Sequence, residues 1–442
     1  MPFFRVLSLL FGCFFSSMQV LEAQVIARMV VQAGTFARDN SVVSCALGEY
    51  SITSAASWKL EEVRGNKRIA VPMQIEPGRF PRIWWVLTGK TPVGVQRVFE
   101  LSKVPAGVTT LPVMRVTDRH GNLLLEEGSR QILQYNYNTV YPPPGVDTMY
   151  KRSGFIHPVW APNGAVLTNI FPEGHYHHMG IWNPWTHTSF EGRVVDFWNL
   201  QKKEGTVRFT GFLSKTQGNV WGGFKARQEH VVFEMNGREK TALDEVWDVR
   251  AYTAGTHDSR RIWDFVSTIS CATDSALLLL QYRYGGGLCF RATAAWTSST
   301  SQVLTSEGKN RKDADSTRAR WVKISGSTGK GHAGILIMNS PDNYNSPQPL
   351  RVWPENAERG ELMLNYSPTK MASWLLTYGH EYTQKYRIMV FKGDLTAGEA
   401  EAAWQDFAHP PIVILSSYTP PDPQNVQGLK GEAAPGIPGT GR

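Results

Sequence analysis

Five of the eleven histidines fall between positions 157 and 187: His157, His175, His177, His178 and His187. The densest stretch reads Phe171-Pro172-Glu173-Gly174-His175-Tyr176-His177-His178-Met179-Gly180-Ile181-Trp182-Asn183-Pro184-Trp185. Imidazole is the side chain whose ordinary pKa lies closest to neutral, so crowding it suits proton transfer or metal ligation. In an extended chain His175 and His177 share one face and His178 takes the other. Glu173 and Asp196 are nearby carboxylates that either orient an imidazole as a base or complete a two-histidine, one-carboxylate metal set. Trp160, Trp182, Trp185 and Trp198 offer flat apolar faces, and Asn183, Asn199 and Arg152 offer polar edges. A pyranose ring has C–H faces and a polar rim, which fits such a mixture.

Three readings are open: a metal-free acid/base and sugar-binding cluster, which the mixture favours; a metal-dependent oxidoreductase centre; and a hydrogen-bonded core. On the first, His177 or His178 is the general acid/base, positioned by His175 and Glu173. Arg152 holds an anionic group, Trp182 or Trp198 stacks on the ring, and His157, Asn183, Asp196 and Arg291 are further contacts. Arg291 ends the segment Tyr284-Gly285-Gly286-Gly287-Leu288-Cys289-Phe290, whose glycines read as a close backbone approach beside a cleft. Epimerisation, β-elimination and hydrolysis all fit this set, as does a non-catalytic carbohydrate-binding module. The pattern specifies no cofactor. Gly-x-Ser-x-Gly, phosphate-loop and His-Glu-x-x-His patterns are missing from the sequence.

The blocks Gly154-Phe155-Ile156-His157-Pro158, Pro172 to Trp182 and Asp196-Phe197-Trp198 resemble a bacterial family labelled methane oxygenase PmoA. Tyr284 to Leu288, Asn339 to Asn343 and Gly379-His380-Glu381 follow in the same order, so the resemblance spans about residues 120–410. The family pattern at the histidine block is Asp-His-Pro-His-His. Here Gly174 and Tyr176 stand in place of the Asp and Pro, which leaves Glu173 as the nearest carboxylate. The resemblance implies an exported protein among sugar-processing neighbours, with a supersandwich fold of the galactose-mutarotase kind.

The elements that must position these residues read as strands. Segments such as 82–87, 93–99, 230–235, 333–338 and 385–391 are rich in β-branched and aromatic residues and closed by turn formers. One helix is predicted, opened by the capping box Thr396-Ala397-Gly398-Glu399 and stopped by Pro410-Pro411. The fold class is therefore all-β: a large antiparallel sandwich with a smaller N-terminal β region and one C-terminal helix. Within the 442 residues the expected divisions are a signal peptide at 1–23, the N-terminal β region at 24–118, the sandwich at 119–409 and a Pro/Gly-rich disordered tail at 410–442. The leader implies a protein outside the cytoplasm, secreted or periplasmic, with a lipoprotein anchor at Cys13 as the weaker alternative. Its apolar run is shorter than the ~20 residues of a membrane span. The net charge of +8 is spread without runs of like charge, which argues against a nucleic-acid partner and leaves an anionic substrate or a cell-envelope partner open; the expected partner is the carbohydrate that the aromatic and polar mixture suits. For Cys45, Cys271 and Cys289 buried free thiols are the favoured reading, with a Cys271–Cys289 disulfide as the alternative.

Overall fold

The structure is a computed structural model, and it describes residues 24–48, 58–104, 111–255 and 257–417. Every strand pair in it is antiparallel. Two eight-stranded sheets form the main body. One runs in the order Leu350–Val352, Met363–Tyr366, Cys289–Arg291, Ile181–Trp182, Phe155–Val159, Arg130–Asn136, Asn122–Glu127, Met114–Asp118. The other is built on longer strands, among them Trp221–Phe233, Glu239–Tyr252 and Arg260–Cys271.

Alternation explains why these segments pair. Along Arg260–Cys271 each second residue is buried, and a pleated strand puts alternate side chains on one face. Trp263 and Phe265 from this strand meet Leu133, Tyr135, Ile156 and Ile181 from the facing sheet, all fully buried. Burying side chains of that size is worth roughly 1.5–3 kcal/mol each. The sandwich expected from composition and strand pattern is the fold observed.

A smaller sandwich precedes it, with a five-stranded and a three-stranded sheet closed over Met29, Ile83, Trp85, Phe99 and Leu101. It docks on the main body through Gln74, whose Oε1 accepts the Val220 and Trp221 amides at 3.1 and 2.9 Å. The helix Ala397–Ala408 has the capping box its sequence specifies: the Thr396 hydroxyl accepts the Glu399 amide, and the Glu399 carboxylate accepts the Thr396 amide. Trp404 and Ala400 bury its inner face against Trp321, Leu336 and Met389. Among the described residues, no helix is long and apolar enough to cross a membrane.

Three boundaries differ from the sequence expectation. Met114–Asp118 pairs with Asn122–Glu127 across the His120-Gly121 turn, so it belongs to the main sandwich. Ile412–Ser417 is no tail: it pairs with Gln24–Gln32 as the edge strand of the small sandwich, because Val413 and Leu415 have an apolar core to cover. Gly94, at φ 74°, is a turn residue, and the strand expected from 93 begins at Gln96. The leader at 1–23 and the stretch 418–442 lie outside the described residues. Cys45, Cys271 and Cys289 are buried and unpaired, as expected.

Candidate active-site cleft

The histidine block is a pair of consecutive turns, not a strand. The His175 amide donates to the Pro172 carbonyl and the His178 amide to that of His175, both at 2.9 Å. Gly174 at φ 76° permits the first reversal, and the bridge between Ile170 and Met179 closes the excursion. The alternation expected for an extended chain therefore does not apply, and all three rings converge. Their centroids lie 4.6 Å apart for His177 and His178, 5.2 Å for His175 and His178, and 5.8 Å for His175 and His177. Gly180 sets the block against the sheet. A Cβ there would stand 2.4 Å from the Ile156 carbonyl oxygen, so only glycine lets the chain pass.

The rings form one wall of a cleft of about 340 Å³. Trp198, Asn199 and Gln201 supply a second wall, and Tyr284, Arg351, Trp353 and Glu358 the remainder. His175 meets Trp353 edge-on at 4.7 Å, and its Nε2 lies 3.8 Å from Oε1 of Glu358. It is the most open of the three imidazoles; His177 and His178 are buried. The glycine run performs as expected: a Cβ on Gly286 or Gly287 would strike Trp185 or the Tyr366 carbonyl, and that tight passage delivers Tyr284 to the cleft.

Burial disfavours the charged form of all three imidazoles. Burial pushes His177 down to about 3, helped by the charge of protonated His175 nearby. His178 is driven well below its ordinary value, chiefly by burial and then by His177. His175 is also lowered by burial, but Glu358 opposes that shift. The Nδ1 atoms of His175 and His178 are buried and have no hydrogen-bond partner among the described residues. A buried polar atom in that condition costs about 1–3 kcal/mol unless water or a ligand satisfies it.

Several expected contacts stand elsewhere. Glu173 sits on the exposed tip of the turn, its carboxylate toward Arg359 rather than any histidine. Trp182 is 0 % exposed, packed against His178 at 5.2 Å, and so supports the cluster from behind instead of stacking on a ligand. Trp198 does line the cleft. Asn183 lies in the interior, where it donates to Glu245 and Ser267. His157 is held apart by its Nδ1 contact to the Thr168 hydroxyl at 2.9 Å, and burial lowers it to about 4. Arg152 lines a different cavity.

Asp196 is a structural residue. Its carboxylate accepts from the Thr186 hydroxyl, the Trp198 and Asn199 amides, the Asn199 side chain and Lys202. Burial alone would raise its pKa, yet those donors hold it below the usual carboxylate range. It thereby fixes the turn that carries Trp198, Asn199 and Gln201. Arg291 is buried behind the cleft, ion-paired with Glu361 and stacked 4.9 Å over Trp353. It depresses the proton affinity of all three histidines.

Both carboxylates proposed to complete a metal set are thus engaged by other partners. Among the described residues, no group of three or more His, Cys, Asp or Glu side chains is arranged to hold a metal ion. Sequence reasoning missed Trp353 and Glu358, which sit about 180 positions downstream in the segment Trp353-Pro354-Glu355-Asn356-Ala357-Glu358. An exposed Glu in a turn-rich segment carries no local signal of its partner.

The fold and the cleft define a class: an all-β double-sandwich protein with a histidine-walled aromatic hollow in its larger body. The chain belongs to a family of unknown function, DUF6807, whose pattern matches residues 122–405 and so contains the whole cleft. Among solved structures it is similar to an α-mannosidase from Enterococcus faecalis V583, at 8 % identity and a TM-score of 0.42. That likeness covers 89 % of this chain and 46 % of that one, so the chain spans about half its length. No curated protein matches the sequence.

Proposed function

We propose that the protein is an exported carbohydrate-active enzyme whose cleft takes a sugar ring and moves a proton on it. The observation that carries this is the His175–Glu358 contact on an aromatic-walled hollow: one reachable imidazole beside a carboxylate, with two neutral imidazoles next to it. Trp353, Trp198 and Tyr284 offer apolar faces to C–H groups, while Asn199, Gln201 and Arg351 line the same space with hydrogen-bonding groups. The resemblance of the histidine block to the PmoA-labelled family, and the leader-like first 23 residues, support the sugar and export parts of the reading.

The division of labour follows from proton affinity. A group serves best as general acid/base when its pKa lies near the working pH. His177, at about 3, is a poor base and a good neutral hydrogen-bond partner. His175 is the acid/base group, because Glu358 restores part of the affinity that burial removes. His177 and His178 hold substrate hydroxyls. Glu358 is a positioning residue that also stabilises imidazolium. Proton abstraction next to a carbonyl, as in epimerisation or β-elimination, and protonation of a leaving oxygen are both within the reach of such a pair.

The test is a titration of the purified protein with common neutral mono- and disaccharides. Tryptophan fluorescence reports binding and proton NMR reports turnover. The expected result is saturable binding of at least one sugar, weakened at least tenfold by Trp353→Ala, with turnover lost in His175→Ala. Absence of binding, or binding indifferent to Trp353→Ala, overturns the sugar assignment. Binding without turnover of any bound sugar overturns the acid/base assignment and leaves a lectin-like module.

A further inference from the structure

On the other side of the turn that walls the cleft lies a second cavity of about 350 Å³. Trp198, Asn199 and Gln201 face the histidine cleft, whereas Leu200 and Lys203 line this one, so one short segment separates the two. Four cationic residues line it: Lys151, Arg152, Lys203 and Arg208. The one carboxylate in the lining, Glu239, is already engaged by Arg208 at 2.8 Å.

Arg152 is the anomaly. It is 2 % exposed, yet it forms no ion pair among the described residues, and the one hydrogen bond of its side chain there runs from Nη1 to the Phe197 carbonyl at a long 3.4 Å. Its Nε is buried without a partner among the described residues. A guanidinium has five donors in a rigid fork that matches an oxyanion in two-point fashion. Burying one with its donors idle is costly, and an anion seated against it removes that cost. Glu245 acts on it only through the field of its charge and forms no hydrogen bond to it. Lys151 rests its ammonium over the Tyr141 ring at 5.9 Å and has no carboxylate partner, and Lys203 has neither an ion pair nor a side-chain hydrogen bond among the described residues.

We propose that this cavity is an oxyanion-binding site, taking a sulfate, phosphate or carboxylate group with Arg152 at its base and Lys151 and Lys203 at its mouth. It is distinct from the histidine cleft and does not depend on the activity assigned there. The group is either a free inorganic anion or the charged substituent of an acidic sugar, since both present the same oxygens.

Calorimetric titration of the full chain with sodium sulfate, inorganic phosphate and glucuronate, at constant ionic strength, tests the assignment. The expected result is one saturable site for at least one probe. Lys151→Ala and Lys203→Ala, both at exposed positions, each weaken it about tenfold, the usual cost of losing one charge-assisted contact. Preference for glucuronate over the inorganic probes assigns the site to an acidic sugar, and the reverse preference to a free anion. His175→Ala leaves the affinity unchanged, so failure of the cleft reading and failure of this one are separable. Absence of a saturable site, or a site indifferent to both lysine variants, overturns the proposal.

Discussion

Nε2 of His175 stands 3.8 Å from Oε1 of Glu358, across a cleft whose two sides come from distant parts of the chain. His175 is the most open of three neighbouring imidazoles, and the contact opposes the lowering that burial imposes on it. Burial lowers all three, and a carboxylate within this range favours the charged form of the ring it faces.

Replacing that carboxylate has a definite sign. In Glu358→Gln the larger of two opposing carboxylate influences on His175 is gone, Glu361 being the other, while burial, Arg291 and Arg359 remain, so its titration moves to lower pH. NMR of the His175 ring protons between pH 4 and 8 measures it, and any limb of the activity profile governed by His175 moves the same way. An unchanged or raised midpoint contradicts the assigned role of Glu358.

Acid should destabilise the protein earlier than its carboxylates require. His177 and His157 have folded pKa values of about 3 and about 4 against about 6.5 when unfolded. Below 6.5 the unfolded chain binds protons that the native one does not. Stability is therefore complete above that pH and is lost as pH falls toward the folded values. Each such histidine costs about 1.4 kcal/mol per pH unit once well below 6.5. Thermal melts from pH 7 to 5 should show a falling midpoint, with a shallower slope in His157→Gln. A midpoint flat over that interval is the contrary result.

Arg291 joins stability to chemistry. Arg291→Met removes a buried ion-pair partner from Glu361 and a stacked cation from Trp353. Glu361 keeps its ion pair with Arg359 at 2.8 Å, so the loss is about 0.5–3 kcal/mol, that of an ordinary buried substitution. At the same time His175 gains proton affinity, since a nearby cation no longer opposes its protonation. Denaturant melts and the same NMR titration read the two effects separately. A stable variant with an unmoved His175 refutes the placement.

Asp196→Ala tests the wall. Five donors lose their acceptor, among them two main-chain amides, and the turn bearing Trp198 and Asn199 loses its anchor. A destabilisation of about 2–4 kcal/mol is expected, with weaker sugar binding. Lys202→Ala, at a half-exposed position, should cost under about 1 kcal/mol. Equal effects from the two variants would show that Lys202 alone holds the carboxylate.

How much of the molecule is legible in its residues depends on the range of the interaction concerned. Strand patterning and the Thr396–Glu399 capping box are local, and the strands over 333–338 and 385–391 and the helix stand where the residues put them. The histidine block is visible as a cluster, but its geometry is not. Gly174 turns the chain, so three rings meet where alternation would have split them. Trp182 and Asn183 read as surface contacts, because a Trp or Asn has the same letters in a core as in a cleft. Glu358 and Trp353 reach the site only through the long pairing of sheet strands, which no window of neighbouring residues reveals.

The edge strand Ile412–Ser417 has a consequence for the order of assembly. The first strand of the small sandwich, Gln24–Gln32, finds its outer neighbour only after the whole large sandwich has been synthesised. Contacts so remote in sequence form slowly. The leading module thus leaves the ribosome with one border bare, and is sealed last, by a segment that arrives after everything between has been made.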